Sequence, residues 1–208
     1  MIYPATLNIT ILQNSTFELS LRALQNQKAI TGFAVANSNP IFVVPCHRFT
    51  AGSKVVIVPQ GQSSASLPAA TPETYDVPCG LELNKVYFVV DAGLATNTFT
   101  ISETDGGSPI TVADTPLGSL MVAEPVDLTD YTADADLIDI TTKEEVATFT
   151  CTLPAAADGL VQITMEPEIT VDLTEGLSNW DLSLTSDTGA RYYWLQGTAT
   201  VTKTSSRS

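Results

Sequence analysis

Leu7-Asn8-Ile9-Thr10-Ile11-Leu12-Gln13-Asn14-Ser15-Thr16-Phe17-Glu18-Leu19-Ser20-Leu21 is the stretch on which the reading of the whole chain turns. Leu7, Ile9 and Ile11 alternate with Asn8 and Thr10; beyond the polar break at residues 13–15, Phe17, Leu19 and Leu21 alternate with Glu18 and Ser20. A period of two is what a strand with one buried face requires, because successive side chains point to opposite sides of a sheet. The stretch therefore predicts two half-buried strands joined by a short turn.

The same rhythm returns from about Val126. It runs through Tyr131, Ala133 and Ala135, then Phe149 and Cys151, Val161, Ile163 and Met165, Trp180, Leu182 and Leu184, and finally Leu195, Gly197, Ala199 and Val201. Turn signals separate these runs: Pro154 with Ala157-Asp158-Gly159, Glu175-Gly176, and Asp187-Thr188-Gly189. Some seven short strands at such spacing predict an all-β fold, an antiparallel immunoglobulin-like β-sandwich, with room for a brief helical turn only at residues 173–180.

Residues 32–121 read differently. Pro and Gly are denser, and the segment has its own apolar runs at 41–44, 55–58, 86–90 and 98–101. Residues 59–74, rich in Gln, Ser, Ala and Pro, read as an exposed loop. Asp105-Gly106-Gly107 signals a hairpin between Phe99 and Ile101 on one side and Ile110 and Val112 on the other. These features predict a small β domain at 32–121, inserted between the second and third strands of a sandwich built from 1–31 plus 122–208. Such an insertion is tolerated because the ends of a strand-connecting loop are already close.

Composition narrows the function. Hydrophobic residues make up 44% of the chain and charged ones 15%, so a core can form and small polar residues are left for strand faces and turns. Nine Lys and Arg against 23 Asp and Glu give a formal charge of −14, which repels phosphate backbones and anionic lipid. Neither nucleic acid nor membrane is expected as a partner. Residues 1–12 lack the basic start and apolar run of a secretion signal, so a soluble chain assembled in the cytoplasm is expected.

Catalysis needs a group that titrates near neutrality or an activated nucleophile, and the chain has one His and three Cys. Cys46 beside His47 would place thiol and base on opposite faces of a strand. Cys46, His47 and Cys79 make three soft ligands without the second close pair of a zinc site. A Cys46–Cys79 disulfide is the better chemistry for these residues, formed only in an oxidising medium. Cys151 alternates with Phe149 and reads as a small core residue. The row Asp127, Asp130, Asp134, Asp136, Asp139 lacks the Gly-bearing loop and terminal Glu of a calcium hand and reads as the solvent face of a strand. No catalytic residue, metal or cofactor is expected. Tyr192-Tyr193-Trp194, with Trp180, serves either sheet packing or contact with a neighbouring subunit, where Tyr and Trp are enriched.

Two resemblances add to this. Gln13-Asn14-Ser15-Thr16-Phe17, Val126-Asp127-Leu128-Thr129-Asp130-Tyr131-Thr132-Ala133, Val146-Ala147-Thr148-Phe149-Thr150, Ala155-Ala156-Ala157-Asp158-Gly159 before Val161, and Trp194-Leu195-Gln196-Gly197-Thr198-Ala199-Thr200-Val201 resemble the β-sandwich of bacteriophage long-tail-fibre connectors and upper baseplate proteins. That family usually has Gly-Asp-Thr-Phe at the first turn, and the Gly is missing here. The middle segment resembles another phage-tail module through His47-Arg48-Phe49-Thr50-Ala51-Gly52-Ser53-Lys54-Val55-Val56, Gly80-Leu81, Lys85-Val86-Tyr87-Phe88-Val89-Val90, Asn97-Thr98-Phe99-Thr100-Ile101 and Gly106-Gly107, with Arg48 replacing the usual Gly. The resemblance implies a virion protein without catalysis: a tail or baseplate adaptor whose partners are other virion proteins and copies of itself. A capsid decoration or neck protein is the alternative within the particle. A carbohydrate-binding module using Trp180, Trp194 and the acidic face is the alternative of another class.

Overall fold

A computed structural model of the chain describes residues 5–36, 39–60, 65–66, 79–112 and 119–203. Regular structure among them is almost entirely strand: β1 (Ala5–Thr6), β2 (Ile9–Leu12), β3 (Phe17–Ala29), β4 (Gly32–Ala36), β5 (Asn39–Val43), β6 (Lys54–Pro59), β7 (Ala65–Ser66), β8 (Val86–Val90), β9 (Thr98–Ser102), β10 (Leu120–Pro125), β11 (Thr132–Asp139), β12 (Glu145–Ala155), β13 (Leu160–Met165), β14 (Gly176–Thr185) and β15 (Arg191–Thr202). One helical turn, α1 (Pro167–Thr170), and a 3-10 turn at Ala156–Asp158 complete the described elements. The protein is all-β. It falls into two compact units, Met1–Leu21 with Asp127–Ser208, and Arg22–Val126.

The first unit is a sandwich of two sheets. One runs β12-β11-β14-β15 with antiparallel pairing, and β1 and β2 are added to the free side of β15 in parallel. The other runs β12-β13-β3. The long β12 belongs to both: residues 145–149 pair with β11, and residues 150–155 pair with β13. Ile11, Leu21, Leu137, Ile163, Met165, Trp180, Leu182 and Leu195 are buried from these strands. The Phe17 ring lies 5.6 Å from Phe149, which lies 6.3 Å from Trp180, so the N-terminal stretch shares the apolar interior of the late strands.

β2 and β3 are both half-buried, but they do not pair with each other. The turn at 13–15 crosses from one sheet to the other, leaving β2 on β15 and β3 on β13. Both strands present apolar faces inward, and alternation alone cannot distinguish a hairpin from a crossing. Asn14 occupies the left-handed region at φ 56°, the conformation for which Gly is best suited and which Asn tolerates. The helical turn falls at 167–170, not at 173–180, because Pro167 supplies a preset φ at the first helical position. Thr170 Oγ1 ties it to the 13–15 turn, donating to the Ser15 carbonyl at 2.9 Å and accepting from the Ser15 N–H at 3.2 Å.

In the second unit the order is β3-β10-β6-β8-β9-β5-β4, with β3 contributing residues 22–29. All four apolar runs of the middle segment are strands. Val55 and Ile57 of β6 pack into one apolar cluster with Phe42, Phe49, Tyr87 and Phe99, while Val56 and Val58 pack into another with Leu24 and Ala123. Burial on both faces is why β6 reads as a continuous run without alternation. The Asp105-Gly106-Gly107 turn forms, with Gly106 at φ 66°, but the return is slight: Ile110 N–H donates to the Ile101 carbonyl at 2.9 Å, and residues 107–112 form no strand. Of residues 59–74, Pro59 ends β6 and Ala65–Ser66 pair with Ala23 and Arg22; residues 61–64 and 67–74 lie outside the described ones.

Candidate interaction surface

His47 is the first candidate for chemistry, and the fold has used both of its ring nitrogens. The Phe49 backbone N–H lies 3.0 Å from Nδ1 and can only donate, so Nδ1 accepts. The Thr98 carbonyl lies 3.1 Å from Nε2 and can only accept, so Nε2 carries the proton. The buried ring also stacks on Phe49 at 5.0 Å and meets Phe99 edge-on at 5.3 Å. A cavity of about 440 Å³ beside it is lined by Cys46, His47, Arg48, Phe49 and residues 94–96. Cys46 and Arg48 flank the ring at φ 51° and 65°, and Lys28 Nζ donates to the Cys46 carbonyl at 2.6 Å. His47 is thus part of a braced turn, and Arg48 fills a left-handed position suited to Gly.

Cys46 and Cys79 are both exposed and are not bonded to each other; the Cys46 N–H is instead held by Asn97 Oδ1 at 2.9 Å. Cys151 is half-buried, and burial, reinforced by the charges of Asp134 and Asp136, pushes its thiol up to about 11.

The acidic row does not converge. Asp127 Oδ1 accepts the Thr129 N–H at 2.9 Å, and Asp139 Oδ1 accepts the N–H groups of Thr141 and Thr142 at 2.7 Å each, which holds its carboxyl below the usual range. Both acids cap their own turns. In β11, Ala135 and Leu137 are buried while Asp134 and Asp136 face outward. Asp136 lies directly opposite Asp181 of β14, whose carboxyl is raised by burial and then by the Asp136 charge, against the pull of Arg191.

The late aromatics form the surface with most to offer a partner. In the β14–β15 pair, Leu182 is opposite Leu195 and Ser183 is opposite Tyr193, so Trp194 is an extra residue in a β-bulge. Strict alternation from buried Leu195 would send Tyr193 inward; the bulge reverses it. Tyr193 is consequently 52% exposed; Tyr192, opposite Leu184 and so on the other face of the strand, is 53% exposed, and Trp194 is partly covered. The Arg191 guanidinium lies 5.3 Å from the Tyr193 ring centroid, and its Nε donates to Ser183 Oγ at 2.9 Å. Trp180 does not join this surface. It is 1% exposed, and its Nε1–H donates to the Leu7 carbonyl at 2.8 Å, which makes it the centre of the sandwich core. Sequence reasoning also missed Arg191, whose position immediately before two tyrosines was the available signal.

No protein-family model matches the chain, and no curated protein matches it. Among solved structures, AggA, the major subunit of aggregative adherence fimbriae type I from Escherichia coli, aligns over 96% of this chain and 91% of its own at 10% identity, with a TM-score of 0.22. That superposition identifies neither fold nor role. No helix among the described residues is long and apolar enough to cross a membrane.

Proposed function

We propose that this chain is a non-catalytic structural protein of a bacteriophage particle, a tail or baseplate adaptor that attaches to neighbouring virion proteins. The observation that carries this reading is the bulge at Trp194, which turns Tyr193 outward with the Arg191 guanidinium stacked on it, while Tyr192 is exposed at the next position along the strand. Tyr and Arg are the residues that most often anchor protein contacts, since each joins a large apolar area to a polar tip. The one histidine is committed to two backbone hydrogen bonds, which fits a part that works by contact. A double substitution, Tyr192→Ser with Tyr193→Ser, is expected to leave the circular dichroism spectrum and melting temperature near wild type while the protein is lost from assembled particles. Incorporation at wild-type occupancy would contradict the assignment. Exposed tyrosines near Asp181 and Asp136 also fit a sugar-binding surface, and a glycan array without binding removes that reading.

A further inference from the structure

β4 is hydrogen-bonded to β5 on one side, and among the described residues nothing pairs with its other side. Open strand edges are ordinarily blunted by charge, Pro, a bulge or extreme shortness, because their unpaired N–H and C=O groups template further pairing. β4 has none of these. Its five residues, Gly32-Phe33-Ala34-Val35-Ala36, carry no charge or Pro, and their register with β5 is unbroken from Gly32 opposite Val43 to Ala36 opposite Asn39. Ala34, Val35 and Ala36 are exposed.

We infer that β4 pairs with the β4 of a second copy of this chain, antiparallel about a two-fold axis, to form a dimer. Two observations select a second copy. Residues 29–45 contain no Asp, Glu, Lys or Arg in a chain of net charge −14, so this hairpin adds no charge of its own to the repulsion between two like-charged copies. The strand is also self-complementary. With Ala34 on the axis, each Phe33 stands opposite the other copy's Val35, an aromatic and β-branched cross-strand pair, while the two small Ala34 residues face each other. Added salt strengthens the dimer by screening the general repulsion between copies.

This edge includes neither Tyr192 nor Tyr193, and its test is made in solution, so failure here leaves the attachment reading standing. Sedimentation velocity of the full chain over a wide concentration range is expected to show a monomer–dimer equilibrium favoured by salt. Val35→Lys places a charge at an exposed edge position and should weaken association by about tenfold or more with an unchanged circular dichroism spectrum. In wild type alone, β4 amides should exchange with deuterium more slowly at high than at low concentration. A monomer at every concentration overturns the inference, as does a dimer that Val35→Lys leaves intact. Concentration-independent exchange of the β4 amides does the same, whether or not the variant folds.

Discussion

Asn14 and Arg48 show how much of a turn is written in a single dihedral angle. Neither is Gly, yet each adopts a positive φ, 56° and 65°. Both turns therefore need a residue in the left-handed region, a requirement that residue identity alone left hidden. His47 was legible as a lone titratable group, but its neighbours were not, because Phe49 N–H and the Thr98 carbonyl reach it through folding. At this scale the Asp136–Asp181 pair carries a prediction. Asp181 has a raised carboxyl pKa, so between its ordinary and raised values the folded state binds more protons than the unfolded state, and stability rises as pH falls. Its charge therefore costs stability at neutral pH. Asp181→Asn should stabilise the protein at pH 7 by about 0.5 kcal/mol, the scale of a like-charge cross-strand pair. The gain should fade as pH drops through the raised value toward the ordinary aspartate range near ~4. Urea denaturation at both pH values checks this; an equal gain at both, or a loss at pH 7, contradicts it.

Among elements, the strands with clean alternation were readable and the irregular ones were not. β2, β11 and β13 follow the period of two that one buried face imposes. β3 was readable only to Leu21: its continuation Arg22-Ala23-Leu24-Gln25 suits a helix as well as a strand, and pairing with β10 across sequence distance decides the matter. The bulge that exposes Tyr193 depends on one residue of register and leaves no mark in the run Arg191-Tyr192-Tyr193-Trp194-Leu195. β15 also shows why a strand can need Gly. A Cβ on Gly197 would collide with the Leu7 carbonyl oxygen, the same oxygen that accepts the Trp180 Nε1–H, so Gly197 permits the N-terminal segment to dock against β15. Gly197→Ala should destabilise the protein by about 2 kcal/mol or more and shift tryptophan emission to the red as Trp180 loses its partner. An Ala variant with the wild-type urea midpoint would show that the approach is not close.

For the molecule as a whole, two sets of strands with different rhythms were visible in sequence, one alternating and one in continuous runs. The structure divides at Leu21/Arg22 and at Val126/Asp127, ten and five residues from the bounds expected at 31 and 122. No composition break marks the first division, since β3 runs through it without interruption. What the surfaces do was legible only in outline. A charge of −14 argued against phosphate and lipid, whereas the exposed tyrosines and the edge of β4, unpaired among the described residues, emerge only once burial and pairing are assigned. The claim on which the functional account depends is that this chain works as a built-in part of a phage particle, held there through Tyr192 and Tyr193. Electron cryomicroscopy of the purified particle at side-chain resolution tests it directly. The account predicts the chain at a fixed position in the tail or baseplate with both tyrosines covered by a neighbouring protein; its absence from the particle, or its presence with both rings in solvent, would contradict it.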